Sequence, residues 1–156
     1  MARRVGEISI SLESPLSADA AALLGALDQD LLARYPPQNI HGIDLDEVDG
    51  GRGLFVVARV DGAPVGCGAI RPLEAGVGEV RRMFVNPDAR RLGVARKILE
   101  TLEEGAKNLG YTTLRLETGT RQPEAIALYE KHGYHSIPSY GEYVTDHYSL
   151  CYEKAL

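Results

Sequence analysis

Between Leu54 and Ile70, two apolar runs (Leu54-Phe55-Val56-Val57-Ala58-Arg59-Val60 and Ala63 to Ile70) flank the dipeptide Asp61-Gly62. A two-residue Asp-Gly link between apolar runs is a strong short-range hairpin signal, since both residues tolerate the positive φ that a twist-matched turn needs. The centre of the chain is thereby committed to antiparallel pairing. A third strand, Gly78 to Val85, follows a glycine-containing turn at 75–78, and Asn86-Pro87-Asp88 breaks it. There the period changes from two to 3.6. Ala95, Ile98, Leu99, Leu102, Ala106 and Leu109 form one stripe of a helix over 92–109, with Gly110 as its stop.

The flanks extend this frame. Ile8, Ile10 and Leu12 alternate with polar residues as in a half-buried strand, and Ser17 can cap a helix carrying Leu23, Leu24, Leu27 and Leu31. Tyr35-Pro36-Pro37 ends that helix, and 36–53 reads as a loop with one short helical turn in 44–48. Thr112 to Thr118 is a strand with Leu114 and Leu116 inward. Pro123 opens a helix bearing Ile126, Leu128 and Tyr129 that stops at Gly133, and 146–154 alternates as the last strand. The order β-α-(short α)-β-β-β-α-β-α-β belongs to a mixed α/β (α+β) fold. At 156 residues, 44% apolar and 25% charged, the chain suits one globular domain over 1–156. No apolar run approaches a membrane span, and no apolar stretch follows Arg3-Arg4, so a cytoplasmic protein is expected. Cys67 and Cys151 lack the spacing of zinc or redox sites.

Charge is unevenly spread. The net value is −5, yet residues 81–97 hold Arg81, Arg82, Arg90, Arg91, Arg96 and Lys97 against Asp88 alone, a local +5. Overall acidity argues against a nucleic-acid module, while the basic block concentrates anion-binding capacity in one place. Within it, a strand, a turn and a helix start with Gly93 and Ala95 would present free backbone N–H groups and a positive dipole end to an anion. It is neither a Walker loop nor GxGxxG.

Arg90-Arg91-Leu92-Gly93-Val94-Ala95 resembles the (Gln/Arg)-x-x-Gly-x-(Gly/Ala) signature of the GNAT superfamily of acyl-CoA-dependent N-acetyltransferases. Ala125-Ile126-Ala127-Leu128-Tyr129-Glu130-Lys131-His132-Gly133-Tyr134 is similar to the family's Ala-x-x-Leu-Tyr-x-x-x-Gly-Phe/Tyr segment, about 30 residues on in the expected element order. The resemblance implies a mostly antiparallel central sheet flanked by helices. It also implies acetyl-CoA as co-substrate, with amides across Arg91 to Arg96 cradling the pyrophosphate. Met83, Phe84 and Val85 stand where the family's strand bulge contacts the pantetheine arm and the thioester. Two departures are Arg91-Leu92, where many members place a glycine, and Thr118-Gly119-Thr120, where many place an asparagine.

The same resemblance puts Tyr129 at the general acid and Glu79 at a catalytic base, with Glu117 on the next strand as its competitor. The acceptor would be a small-molecule or peptide amine, its pocket shaped by loops 36–53 and 136–146. Tyr140, Tyr143, Tyr148 and Tyr152, and the acidic stretch Asp44, Asp46, Glu47 and Asp49, are candidate pocket residues or ordinary packing and solvated surface. His41, His132, His135 and His147 show no metal-ligand spacing, so no metal is expected. Arg81 and Arg82 should face opposite sides, mainly in solvent. A silent acyl-CoA-binding module of the same fold is the alternative function. Homodimers among relatives make a dimer through the last strand a further expectation.

Overall fold

Asp61 and Gly62 adopt φ of 50° and 85°, the pair of left-handed residues that a type I′ hairpin requires. They join β2 (Leu54–Val60) to β3 (Ala63–Glu74) in a computed structural model that describes residues 6–42, 44–49 and 51–156. The other elements are β1 (Ile8–Leu12), α1 (Ala18–Leu32), α2 (Leu45–Asp49), β4 (Val77–Val85), α3 (Val94–Asn108), β5 (Thr113–Gly119), α4 (Pro123–Lys131), β6 (His135–Ile137) and β7 (Ser149–Ala155). The strands form one sheet in the order β1-β2-β3-β4-β5-β7-β6. β4 and β5 pair in parallel, and the other neighbours pair antiparallel. No helix among the described residues is long and apolar enough to cross a membrane.

Three local differences from the sequence reading have simple causes. β3 continues past Ile70 to Glu74 because β4 still pairs with it there. β6 has only three residues, too few for alternation to show, and exists because β7 offers it an edge. Leu12 is 72% exposed, not inward, since β1 is an edge strand of the sheet.

Alternation along β2 sends Leu54, Val56 and Ala58 toward α3, and Phe55 and Val57 toward α1. Ser17 caps α1 by accepting the Ala20 N–H at 3.1 Å. Ile98, Leu99 and Leu102 of α3 are fully buried on the sheet, each contributing about 1.5–3 kcal/mol. That packing fixes where the start of α3 lies relative to β4.

The α1-facing side of the sheet is apolar over β2 and β3 and polar farther along. Val80, Leu114 and Leu116 point into the α3-side core, so Glu79, Arg81, Arg115 and Glu117 project the other way. The β4–β5 ladder runs from Val77↔Thr113 to Val80↔Leu116 and stops, although β4 goes on to Val85 and β5 to Gly119. Beyond Val80 the two strands part.

Candidate active site

The parted strands open a cleft of about 790 Å³, lined at one end by Val85, Arg91, Val94 and Ala95 and at the other by His41, Glu117 and Asp146. On the β4 wall, four residues (Arg81 to Phe84) stand opposite three of β3 (Cys67 to Ala69). Arg82 sits at φ 57° in this bulge, which interrupts pairing just before Met83. The bulge thus starts one residue ahead of the Met83–Val85 segment singled out by sequence. Phe84 and Val85 turn their side chains into the core, leaving backbone as what they offer the cleft.

Arg91 and Gly93 take φ of 69° and 82° at the turn into α3. Gly93 is the N-cap and supplies no side-chain bond, and Lys97 is the first residue whose N–H bonds back to the Gly93 carbonyl. The N–H groups of Val94, Ala95 and Arg96 therefore start the helix uncapped, beside the positive end of a 15-residue dipole. Arg90 is held by Nε donating to the Val85 carbonyl at 3.1 Å. Leu92 is 42% exposed, and neither Leu92 nor Arg96 lines the cleft, whose wall here is made by Arg90, Arg91, Val94 and Ala95.

Across the cleft, Tyr129 is buried, stacks edge-on with Tyr134 at 5.8 Å between centroids, and reaches the cavity wall. Burial first, and the Glu117 charge second, raise its phenol above the ordinary value. Glu117 also lines the cleft and accepts a 2.6 Å bond from Ser149 Oγ. Burial pushes its carboxyl up, against the downward pull of Ser149 and His41. Asp146 Oδ2 lies 2.7 Å from His41 Nε2, and its Oδ1 accepts from Asn39 Nδ2 and the Tyr148 N–H, each at 2.9 Å. Burial alone would raise Asp146 as well, but these bonds outweigh it and hold the carboxyl below its usual range.

One donor atom from each of His41, Glu117 and Asp146 lies within 4.8 Å of the others. This cluster, of a size that suits a cation, has no counterpart in sequence spacing. Its members come from both loops expected to shape the pocket and from β5.

Glu79 stands apart from this arrangement. It is 0% exposed and does not line the cleft. Its carboxylate accepts from Arg71 Nε at 2.6 Å, Arg81 Nη1 at 3.1 Å and Tyr140 Oη at 2.5 Å. Arg81 in turn donates to the carbonyls of His41 (2.9 Å) and Gly42. Glu79, expected from sequence as a base, has its oxygens engaged in bracing Arg81, which ties the His41 loop to the sheet.

Arg81 and Arg82 face neither opposite sides nor solvent, because the bulge at Arg82 breaks the alternation and leaves both side chains on the α1 face. Arg81 is 7% exposed, and the Arg82 side chain is buried against Asp28 of α1 at 2.5 Å. Charge pattern alone cannot reveal such internal partners. Among the tyrosines, Tyr148 lines the cleft, Tyr140 and Tyr143 close over the Glu79 cluster, and Tyr152 packs in the α3-side core. Of the acidic stretch, Asp44 caps the Asp46 N–H and Glu47 pairs with Arg71 at 3.1 Å, neither lining the cleft; the Asp49 side chain lies outside the described residues.

The family model of the Acetyltransferase (GNAT) family matches residues 24–134. The chain belongs to that family. An IAA acetyltransferase of Azospirillum brasilense is 42% identical over 150 residues, covering 96% of this chain and 98% of the relative. A structure from Klebsiella pneumoniae described as an acyl-CoA N-acyltransferase is 34% identical and superposes with a TM-score of 0.79 over 96% of this chain and 97% of its own. A GNAT acetyltransferase structure from Elizabethkingia anophelis, with acetyl-CoA bound, shares the fold at 19% identity and a TM-score of 0.72, over 96% and 98% of the two chains. This GNAT protein is accordingly an acyltransferase with the expected mostly antiparallel sheet.

Proposed function

We propose that this GNAT enzyme transfers the acetyl group of acetyl-CoA to the nitrogen of a primary amine by direct attack, with both substrates bound together. The observation that carries this reading is the parting of β4 and β5 beyond Val80. It joins a phosphate-competent helix start and a pair of acid–base side chains in one cleft.

The described residues suit acetyl-CoA. Amides from Arg91 to Arg96, in a turn set by two positive-φ residues, suit a pyrophosphate, and Arg91 adds charge at the rim. Met83, Phe84 and Val85, just past the bulge, present backbone to the pantetheine arm and to a thioester carbonyl on which negative charge develops. The supports for the donor are this geometry and the acetyl-CoA bound in a neighbour of the same fold.

An acceptor that arrives as an ammonium first gives one proton through Glu117 to solvent; the neutral amine then attacks the carbonyl carbon and passes a second N–H proton to Glu117 as the C–S bond breaks. A carboxyl raised by burial is a stronger base than an exposed one. A thiol, with pKa about 8.5, is a stronger acid than a phenol of about 10. Tyr129, raised further still, therefore stabilises the departing sulfur by donating a hydrogen bond, and solvent supplies the thiolate's final proton.

The test is free-thiol release from acetyl-CoA over a panel of primary amines, with IAA included because a relative bears that name. Release with at least one amine is expected. Binding of acetyl-CoA without release for any acceptor would favour the silent module instead.

A further inference from the structure

We propose that Asp146, fixed by His41 and Asn39, holds the cationic amine of the acceptor beside Glu117, so that the enzyme selects amines with an apolar substituent and no acidic group next to the nitrogen. The inference rests on the acetyltransferase reading and names the acceptor class that reading leaves open.

Three observations carry it. First, Asp146 is a built element rather than a surface acid. Its side chain is 5% exposed, and it is held at 2.7 Å by His41 Nε2 and at 2.9 Å by both Asn39 Nδ2 and the Tyr148 N–H. His41 is itself fixed, packed edge-on against Tyr143 at 4.9 Å, with its carbonyl bonded by Arg81.

Second, the nearby guanidinium groups are already engaged. Arg81 is occupied by Glu79 and two carbonyls. Arg34 is held by Asp30 at 3.4 Å and by the Arg121 carbonyl at 2.9 Å. Among the described residues, no arginine or lysine forms an ion pair with Glu117 or Asp146, so an ammonium is the cation their wall of the cleft can take. A carboxylate on the same ligand would meet two fixed carboxylates and no free guanidinium.

Third, the α1 side of the cleft offers Leu27, Leu31, Tyr35 and Ile40, an apolar bed for the group next to the amine. The two carboxyls are also driven in opposite directions, Asp146 downward and Glu117 upward. This suits one as a permanent charge and the other as a proton acceptor.

The experiment compares two matched pairs of acceptors by thiol release from acetyl-CoA: 2-phenylethylamine against phenylalanine, and isopentylamine against leucine. In each pair the amine without the carboxylate is expected to have a kcat/KM at least about tenfold higher. Asp146→Asn should raise its KM about tenfold with kcat within about threefold, whereas Glu117→Gln should lower kcat with little change in KM. Asn39→Ala, which removes one brace and leaves the charge, should raise KM by a smaller factor. Melting temperature and acetyl-CoA affinity of each variant establish that the cleft is intact.

Equal or better use of the amino acids, or an unchanged KM in Asp146→Asn, overturns the inference while the acetyltransferase reading stands. So does loss of activity on dialysis against a chelator with recovery on adding Zn²⁺, which would give the cluster to a metal. If no amine releases thiol although acetyl-CoA binds, the acetyltransferase reading falls and the role of Asp146 falls with it.

Discussion

The two ends of the cleft are made of different material. The end that suits the donor is mostly main chain: a bulge at Arg82, a left-handed turn at Arg91 and Gly93, and three uncapped amides, all within residues 82–96. The acceptor end is side chains drawn from His41, Glu117 and Asp146, each on a different segment. Main-chain recognition tolerates changes of side chain. Arg91-Leu92 can therefore stand where relatives of this family place a glycine, provided the backbone path is kept. Side-chain recognition has no such tolerance, so the acceptor end can be retuned by single substitutions while the donor end stays fixed.

Substitutions can break this contrast in order of expected size. Glu117→Gln should lower kcat about 10²- to 10⁴-fold, the usual scale of a lost general base. Glu117 must be ionised to accept a proton and burial raises its carboxyl, so kcat/KM should rise with pH through a limb above the ordinary glutamate value of about 4.3. The groups facing it are His41, Asp146, Arg81 and Tyr129. A pH–rate profile checks this, and persistence of the same limb in Glu117→Gln would assign it to another group.

Tyr129→Phe should lower kcat by about 10- to 1000-fold and leave acetyl-CoA affinity nearly unchanged. Steady-state turnover together with a binding isotherm reads both, and undiminished turnover would remove Tyr129 from the reaction.

Gly93→Val tests the main-chain end. A Cβ there meets nothing closer than Arg96 Nη2 at 3.7 Å, so the damage would come from forcing valine to φ 82° rather than from blocking the amides. That strain, about 1–3 kcal/mol, should weaken acetyl-CoA binding about tenfold while the amine KM stays near its original value. Full affinity would move the phosphate site elsewhere.

Glu79→Gln should have the smallest effect on turnover, within about threefold, because its carboxylate braces Arg81 behind the cleft. Breaking one partner of so buried an ion cluster should instead lower unfolding free energy by about 3–5 kcal/mol, seen in denaturant melts. A folded Glu79→Gln protein without turnover would restore Glu79 to the chemistry.

The same contrast explains what could be read before any coordinates. The hairpin at Asp61-Gly62, the helix stripe from Ala95 to Leu109 and the turn at Gly93 depend on neighbours in sequence, and each appears where local pattern puts it. The spacing of its motif singles out Tyr129, and the fold puts that residue on the cleft wall. For Glu79 the position in the strand is visible in sequence but its partners are not: Arg71 and Tyr140 reach it from 8 and 61 residues away. Asp146 and His41 are 105 residues apart, and no periodicity links them. The usable signal was indirect, two loops flagged as pocket walls and Glu117 on the side of β5 opposite Leu114 and Leu116.

The central claim is that the wedge between β4 and β5 takes acetyl-CoA along a main-chain surface. Calorimetric titration of acetyl-CoA into the wild-type protein and into Gly93→Val and Glu117→Gln tests it most directly. The expected result is one site per chain, weakened about tenfold by Gly93→Val and unaltered by Glu117→Gln. No binding to the wild-type protein at millimolar acetyl-CoA, or equal affinities for all three proteins, would contradict it.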